Sequence, residues 1–489
     1  MRGLIKVIKA EEAREMLRKR IVSRDRELEE KVAGIVEFVR TGGDDALCSL
    51  SRQLDGYDLA PDMIKVSEEE IELAIKEVDR DFLAALKSAR ENIKAYHEKQ
   101  MMNSWFDCGR EGVILGQLIT PLDRVGIYVP GGKASYPSSV LMNAVPAKVA
   151  GVREIAMATP PGKDGRVNIN TLVAAAEAGV TEIYRIGGAQ AVAAMAYGTK
   201  TIKPVDKITG PGNMYVTMAK RLVFGAVGID MLAGPSEILV IADSSANPAY
   251  VAADLLSQAE HDEMAAVVLI TPDLELAQLV KAEIERQLQI LGRSGIAAKA
   301  VSQYGAIIIT GSLEEAVDLA NSFAPEHLEL AVCDPFSLLG GIKAAGAVFL
   351  GHFTPEPVGD YVAGPNHVLP TGGTARFSSP LGVDQFVKRT SVISYSRKAL
   401  EREAEGIIRL AGLEGLDAHA ASVEIRLKRD IPEPKKRKKY ENKDEISLKR
   451  FDIIQDMNSL SPGQEVLPGM PGMPQIKKTG EGVSSDDII

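Results

Sequence analysis

From Val125 onward, short runs of mostly apolar residues alternate with longer amphipathic stretches. Val125–Val129, Glu154–Ala158, Glu182–Ile186, Glu237–Ile241, Ala266–Ile270 and Ala306–Ile309 have the length and composition of strands. Between them, Asn168–Ala178, Pro248–Ala259, Leu274–Gln289 and Leu313–Ser322 place apolar residues three and four apart, the period of a helix. A helix that returns the chain to the start of the next strand makes the strands parallel and covers both sheet faces. The 489 residues exceed one ordinary core, so two Rossmann-like α/β globules are expected.

The flanks differ. Residues 11–100 read as charged helices, with helical spacing in Glu27–Arg40 and Glu68–Ala95, and Arg397–Leu413 and Asp417–Lys428 read as helices after Gly382. From Asp430 the chain carries the basic run Lys435–Lys439, a short helical stretch around Glu445–Met457 and a Pro-, Gly- and Met-rich segment, Ser461–Gly480. This has the composition of a solvated, disordered extension. The expected division is a helical segment 1–25, a first globule from 26–128 with 237–381, a second globule 129–236, a helical segment 382–429 and the extension 430–489.

A formal charge of −10 argues against a general nucleic-acid binder, which needs a basic field. Met1–Ala10 lacks the apolar block of a signal peptide, and no stretch approaches a membrane span. Cys48, Cys108 and Cys333 are far apart and form no disulfide framework. A cytoplasmic location is expected.

Chemistry-bearing residues concentrate in the second half, which holds five of the six histidines. Gln258 and His261 are three apart, at a spacing that puts both on one helix face, although Q-x-x-H alone is weak. Glu326 and His327 follow Pro325, which stops the preceding helix; a carboxylate beside an imidazole suits successive proton transfers near neutral pH. The segment from Gly351 to His367 is rich in Gly and Pro and carries His352, Asp360 and His367 directly after the apolar run Ala345–Leu350. This points to a shaped loop at a strand's C-terminal end, where parallel α/β proteins bind ligands. Asp417 has the character of a helix N-cap, placing His419 in the first turn.

The usual G-x-G-x-x-G dinucleotide fingerprint is absent. Tyr128 beside Pro130-Gly131-Gly132, Gly187-Gly188-Ala189-Gln190 and Gly210-Pro211-Gly212-Asn213 are the alternatives, each glycine group preceding a helix whose amides can face a phosphate. Ordinary βα turns share this pattern.

Five long motifs resemble the histidinol dehydrogenase family: IDMLAGPSE at 229–237, the Gln258/His261 helix, APEHLEL at 324–330, GDYVAGPNHVLPT at 359–371 and EGLDAHA at 414–420. The likeness runs over about 20–428 and departs only in the tail. It implies zinc on Gln258, His261, Asp360 and His419, an N,N,O,O set suited to that ion. It implies Glu326 and His327 as the acid/base pair, with Ser236, His367 and Glu414 joining His327 and the zinc ligands around L-histidinol. It implies Tyr128, Gln190 and Asn213 for NAD, and a homodimer whose exchanged C-terminal segment carries Glu414 and His419 to the partner's site. The implied reaction oxidises histidinol through its aldehyde to histidine, consuming two NAD. Rival readings are a related oxidation of another polar alcohol, an aldehyde dehydrogenase using Cys333 (expected instead to be a buried small hydrophobe), and a silent scaffold binding through Lys435–Lys439.

Overall fold

A computed structural model of the chain describes residues 4–18, 26–131 and 135–428. Gly132, the basic run Lys435–Lys439 and the helical stretch Glu445–Met457 lie outside the described residues. The chain divides into two units, the first from residues 1–104 and 118–390, the second from 105–117 and 391–489.

The first unit carries two all-parallel sheets, as the alternation predicts. One has five strands in the order Glu182–Tyr184, Glu154–Ala158, Arg124–Tyr128, Lys207–Thr209, Gly228–Ile229. The other has six, in the order Lys6–Lys9, Ala306–Ile309, Ala266–Thr271, Glu237–Ala242, His327–Ala331, Ala347–Leu350. Ile238, Leu239, Val240 and Ile241 are fully buried because helices cover both faces of this sheet, which is why the run is continuously apolar rather than alternating.

The cores show where the N-terminal helices pack. Val32, Val36 and Val39 of helix Arg26–Leu50 pack with Val192 and Ala193 on one face of the five-stranded sheet. Leu86, Ala89 and Ile93 of helix Arg80–Glu98 pack with Leu141 and Leu172 on its other face. Helices Arg26–Leu50 and Arg80–Glu98 therefore pack on the five-stranded sheet, and the second of them also packs with Val368 and Leu381. The segment 1–25 is not wholly helical: Lys6–Lys9 is an edge strand on Ala306–Ile309, followed by helix Ala10–Arg18. Amphipathic periodicity identifies a helix but not which sheet buries its apolar stripe.

In the second unit, Trp105–Asp107 pairs antiparallel with Val113–Pro121, and Val387–Tyr395 completes a three-stranded sheet. Helices Arg397–Leu413 and Asp417–Leu427 follow, as expected. Asp417 is the first helical residue rather than its cap, a place held by Leu416.

Candidate active site

Helix Leu313–Phe323 ends at Ala324, whose φ of 51° is the only positive value at a non-glycine among the described residues. That left-handed turn costs on the order of 1 kcal/mol and swings Pro325 and Glu326 into the strand beginning at His327. Gly346 lets the neighbouring chain close on this corner: a Cβ there would stand 2.5 Å from the Glu326 carbonyl oxygen. In the sheet register His327 is level with Ile238 and Ala347. The Glu326–His327 pair thus sits at the N-terminal edge of the six-stranded sheet, the opposite edge from the one suggested by the loop after Leu350.

Glu326 Oε2 accepts the Glu237 backbone N–H at 2.9 Å, and burial pushes its carboxyl well above the usual range. His327 is 4% exposed. Its Nδ1 lies 3.0 Å from the Glu237 carbonyl, which can only accept, so Nδ1 carries the proton. Burial drives this imidazole down to about 4, and the neutral ring keeps its lone pair on Nε2. That nitrogen is buried without a hydrogen-bond partner among the described residues, 4.0 Å from both Glu356 Oε1 and Asp360 Oδ1.

Glu356 and Asp360 are four apart on the helix Glu356–Tyr361 and share its inner face. Burial raises them to about 7 and about 6 respectively; the Asp360 charge raises Glu356 further, while a hydrogen bond from Glu356 partly offsets the rise at Asp360. The Glu356 backbone N–H donates to Glu329 Oε1 at 2.9 Å, and Ser257 Oγ donates to Glu356 Oε2 at 3.1 Å. His367 closes the group: its Nδ1 donates to the Asp360 carbonyl at 3.1 Å, while Ser139 Oγ lies 3.3 Å from Nε2.

Of the four expected metal ligands, Asp360 falls in a candidate metal group among the described residues. His327, Glu356 and Asp360 place candidate ligand atoms within 4.8 Å of one another, so Glu356 joins where the sequence assigned it no role. Its signal was the four-residue spacing to Asp360, hidden by two prolines that disguise the helix. Gln258 is 1% exposed and its Oε1 has no partner among the described residues, an arrangement that costs about 1–3 kcal/mol unless a ligand takes up the oxygen. His327, Glu356 and Asp360 could hold a metal ion. His261 lies past the end of helix Pro248–Ala259, its N–H donating to the Gln258 carbonyl at 3.2 Å, so the two do not share a helix face. It is exposed, yet close enough to lower both His327 and His367 electrostatically. Ser236 is half-buried just before strand Glu237–Ala242. Glu414 and His419 are in the second unit, both exposed.

Tyr128, Gln190 and Asn213 stand at the C-terminal ends of strands in the five-stranded sheet or on the helices that follow. Tyr128 is buried, which raises its phenol to about 12, and its hydroxyl accepts the Gly188 N–H at 3.1 Å. Gln190 is buried within helix Gly188–Tyr197, 3.4 Å from Asp55. Asn213 is exposed and caps helix Met214–Val223 by accepting from Tyr215 and Val216. His352 sits apart, against Ser245 at 3.1 Å, and Cys333 is exposed rather than buried.

The sequence model of the histidinol dehydrogenase family matches residues 18–427. The chain belongs to the histidinol dehydrogenase family. It is 60% identical over 399 residues to histidinol dehydrogenase of Heliobacterium mobile, covering 82% of this chain and 93% of that one. It is 57% identical over 405 residues to the Geobacter metallireducens enzyme, covering 82% and 92%. The crystal structure of histidinol dehydrogenase from Elizabethkingia anophelis superposes with a TM-score of 0.83 at 39% identity, over 87% of this chain and 99% of that one. As a member of that family the chain is an oxidoreductase of histidine biosynthesis.

Proposed function

We propose that Glu326, His327, Glu356, Asp360 and His367, with Gln258, His261 and Ser236, form the histidinol site of this enzyme. The observation that carries this reading is the buried, unpartnered Nε2 of His327 facing two carboxylates. A neutral imidazole with a free lone pair is a general base, and the Glu237 carbonyl orients it.

The residues present fit zinc: Gln258 through Oε1, His261, and Asp360 supported by Glu356, with the fourth ligand His419 supplied in a homodimer as the partner subunit's His419. When bound, zinc would supply a Lewis acid that orients and polarises the substrate. NAD supplies the hydride acceptor, held by Tyr128, Gln190 and Asn213. His327 Nε2 takes the hydroxyl proton as the alcohol is oxidised. Glu326, raised by burial, draws a proton from water so that its oxygen adds to the aldehyde carbon. After His327 has passed its first proton to solvent, it takes a hydroxyl proton from the resulting hydrate as the hydrate carbon gives its hydride to a second NAD, leaving the acid. Ser236, His367 and the partner's Glu414 fix the substrate's polar groups. Water excluded from this buried corner keeps the aldehyde from side reactions.

None of the described helices is long and apolar enough to cross a membrane. Three unpaired cysteines suit a reducing, cytoplasmic setting. The test is NADH stoichiometry with histidinol before and after chelation. Two NADH per histidinol, lost on metal removal and restored by zinc, is the expected result; undiminished turnover in metal-free protein would overturn the metal assignment.

A further inference from the structure

Lys220 and Asp230 form the most deeply buried ion pair among the described residues, with side chains 2% and 0% exposed. Both converge on one residue. Lys220 Nζ donates to the Gly210 carbonyl at 3.0 Å, and the Gly210 N–H donates to Asp230 Oδ2 at 2.8 Å. Asp230 Oδ1 takes Lys220 Nζ and also the Met231 N–H at 2.6 Å.

Gly210 follows directly on strand Lys207–Thr209 and is buried. Its φ of +113° and the close Tyr128 carbonyl, which a Cβ would meet at 2.2 Å, exclude other residues. The two side chains satisfy both the N–H and the C=O of this buried turn. Lys220 comes from helix Met214–Val223, beyond the turn, and Asp230 from the end of strand Gly228–Ile229. Thr217 Oγ1 adds a second tie between that helix and the following segment, donating to the Ala233 carbonyl at 2.9 Å. That segment leads through Ser236 to Glu237, whose backbone holds both Glu326 and His327.

We propose that the Lys220–Asp230 pair is a positioning device for the cofactor: it fixes Gly210-Pro211-Gly212-Asn213 against Tyr128 so that the turn receives the pyrophosphate and ribose of a dinucleotide. This rests on the cofactor reading of Tyr128, Gln190 and Asn213 above. By tying the turn to the segment that ends at Glu237, the pair also keeps the dinucleotide in register with the base.

The test uses full-length, metal-loaded protein. The double variant Lys220→Met/Asp230→Asn leaves no buried charge and retains an acceptor for the Gly210 N–H. NADH affinity, measured by fluorescence titration without substrate, should weaken by about tenfold or more. Histidine binding and zinc content should stay as in the parent. A folded double variant that binds NADH as tightly as the parent overturns the proposal, and so does a parallel loss of NADH, histidine and zinc. Should the double variant not fold, Lys220→Arg keeps the charge but cannot match the ammonium's fit, and a smaller NADH-selective loss is expected; parental affinity overturns the proposal. Asn213→Ala separates the two readings. If it leaves NADH binding unchanged, the cofactor reading of the turn fails; if it weakens binding while the pair's variants do not, only the positioning role fails.

Discussion

The two parallel sheets of the first unit use opposite edges. At the N-terminal edge of the five-stranded sheet, the first residues of three strands, Arg124, Glu154 and Glu182, form an ion network joined by Lys65 and Tyr184. That edge is closed. Its C-terminal edge bears Tyr128 and the glycine turns at Gly188 and Gly210, where helix N-termini present amides that favour an anion. In the six-stranded sheet the N-terminal edge carries Glu237, Glu326 and His327. Helices Pro248–Ala259 and Leu313–Phe323 run back against the strands and end at that edge, so their carbonyl termini favour a cation. One fold thus presents helix N-termini, which favour an anion, at one edge and helix C-termini, which favour a cation, at the other.

Four changes would break or sharpen this contrast. The largest effect is expected for His327→Asn, which should lower kcat by about 10³-fold, within the range of a general base, with bound zinc and NADH affinity intact. A loss below about tenfold would remove His327 from the proton transfers. Glu356→Gln should weaken zinc by about 10- to 100-fold in a chelator competition, because it lies beside Asp360 on one helix face. Unchanged zinc affinity would return the site to the four ligands expected from sequence.

Arg124→Met tests the closed edge. At neutral pH it should cost about 2 kcal/mol in thermal or denaturant unfolding, since it strands Glu182 and Glu154, and kcat of the folded protein should not move. Burial alone would raise Glu182, but Lys65, Arg124 and Tyr184 hold it down at about 2. A carboxyl depressed on folding contributes stability above its ordinary value near 4.5 and loses it as pH falls toward 2. The penalty of Arg124→Met should therefore shrink between pH 5 and about 2; a penalty flat with pH would mean Arg124 acts by packing. The smallest effect is expected for Tyr128→Phe. Losing the acceptor for the Gly188 N–H costs about 1 kcal/mol, or about fivefold in KM for NAD, with KM for histidinol unchanged.

Much of this was legible in the chain. The strand–helix alternation specified parallel sheets, and Glu326, His327, Asp360 and His367, picked out by residue type and setting, do gather at one corner. Glu356 escaped because flanking prolines mask a helix of six residues. His261 was placed on a helix face it does not share, because periodicity does not say where a helix stops. The buried pair at Gly210 had no local signal: a lysine and an aspartate ten residues apart look like ordinary surface charges until the helix folds back.

The amino-acid sequence by itself determined the fold class, the family and the inventory of chemical groups, because period, composition and long motifs are properties of neighbouring residues. The tertiary structure alone decided which sheet each helix covers, which edge carries chemistry and which carboxylates meet. Those depend on contacts between residues up to hundreds of positions apart, where burial and helix poles set the protonation and polarity of each edge.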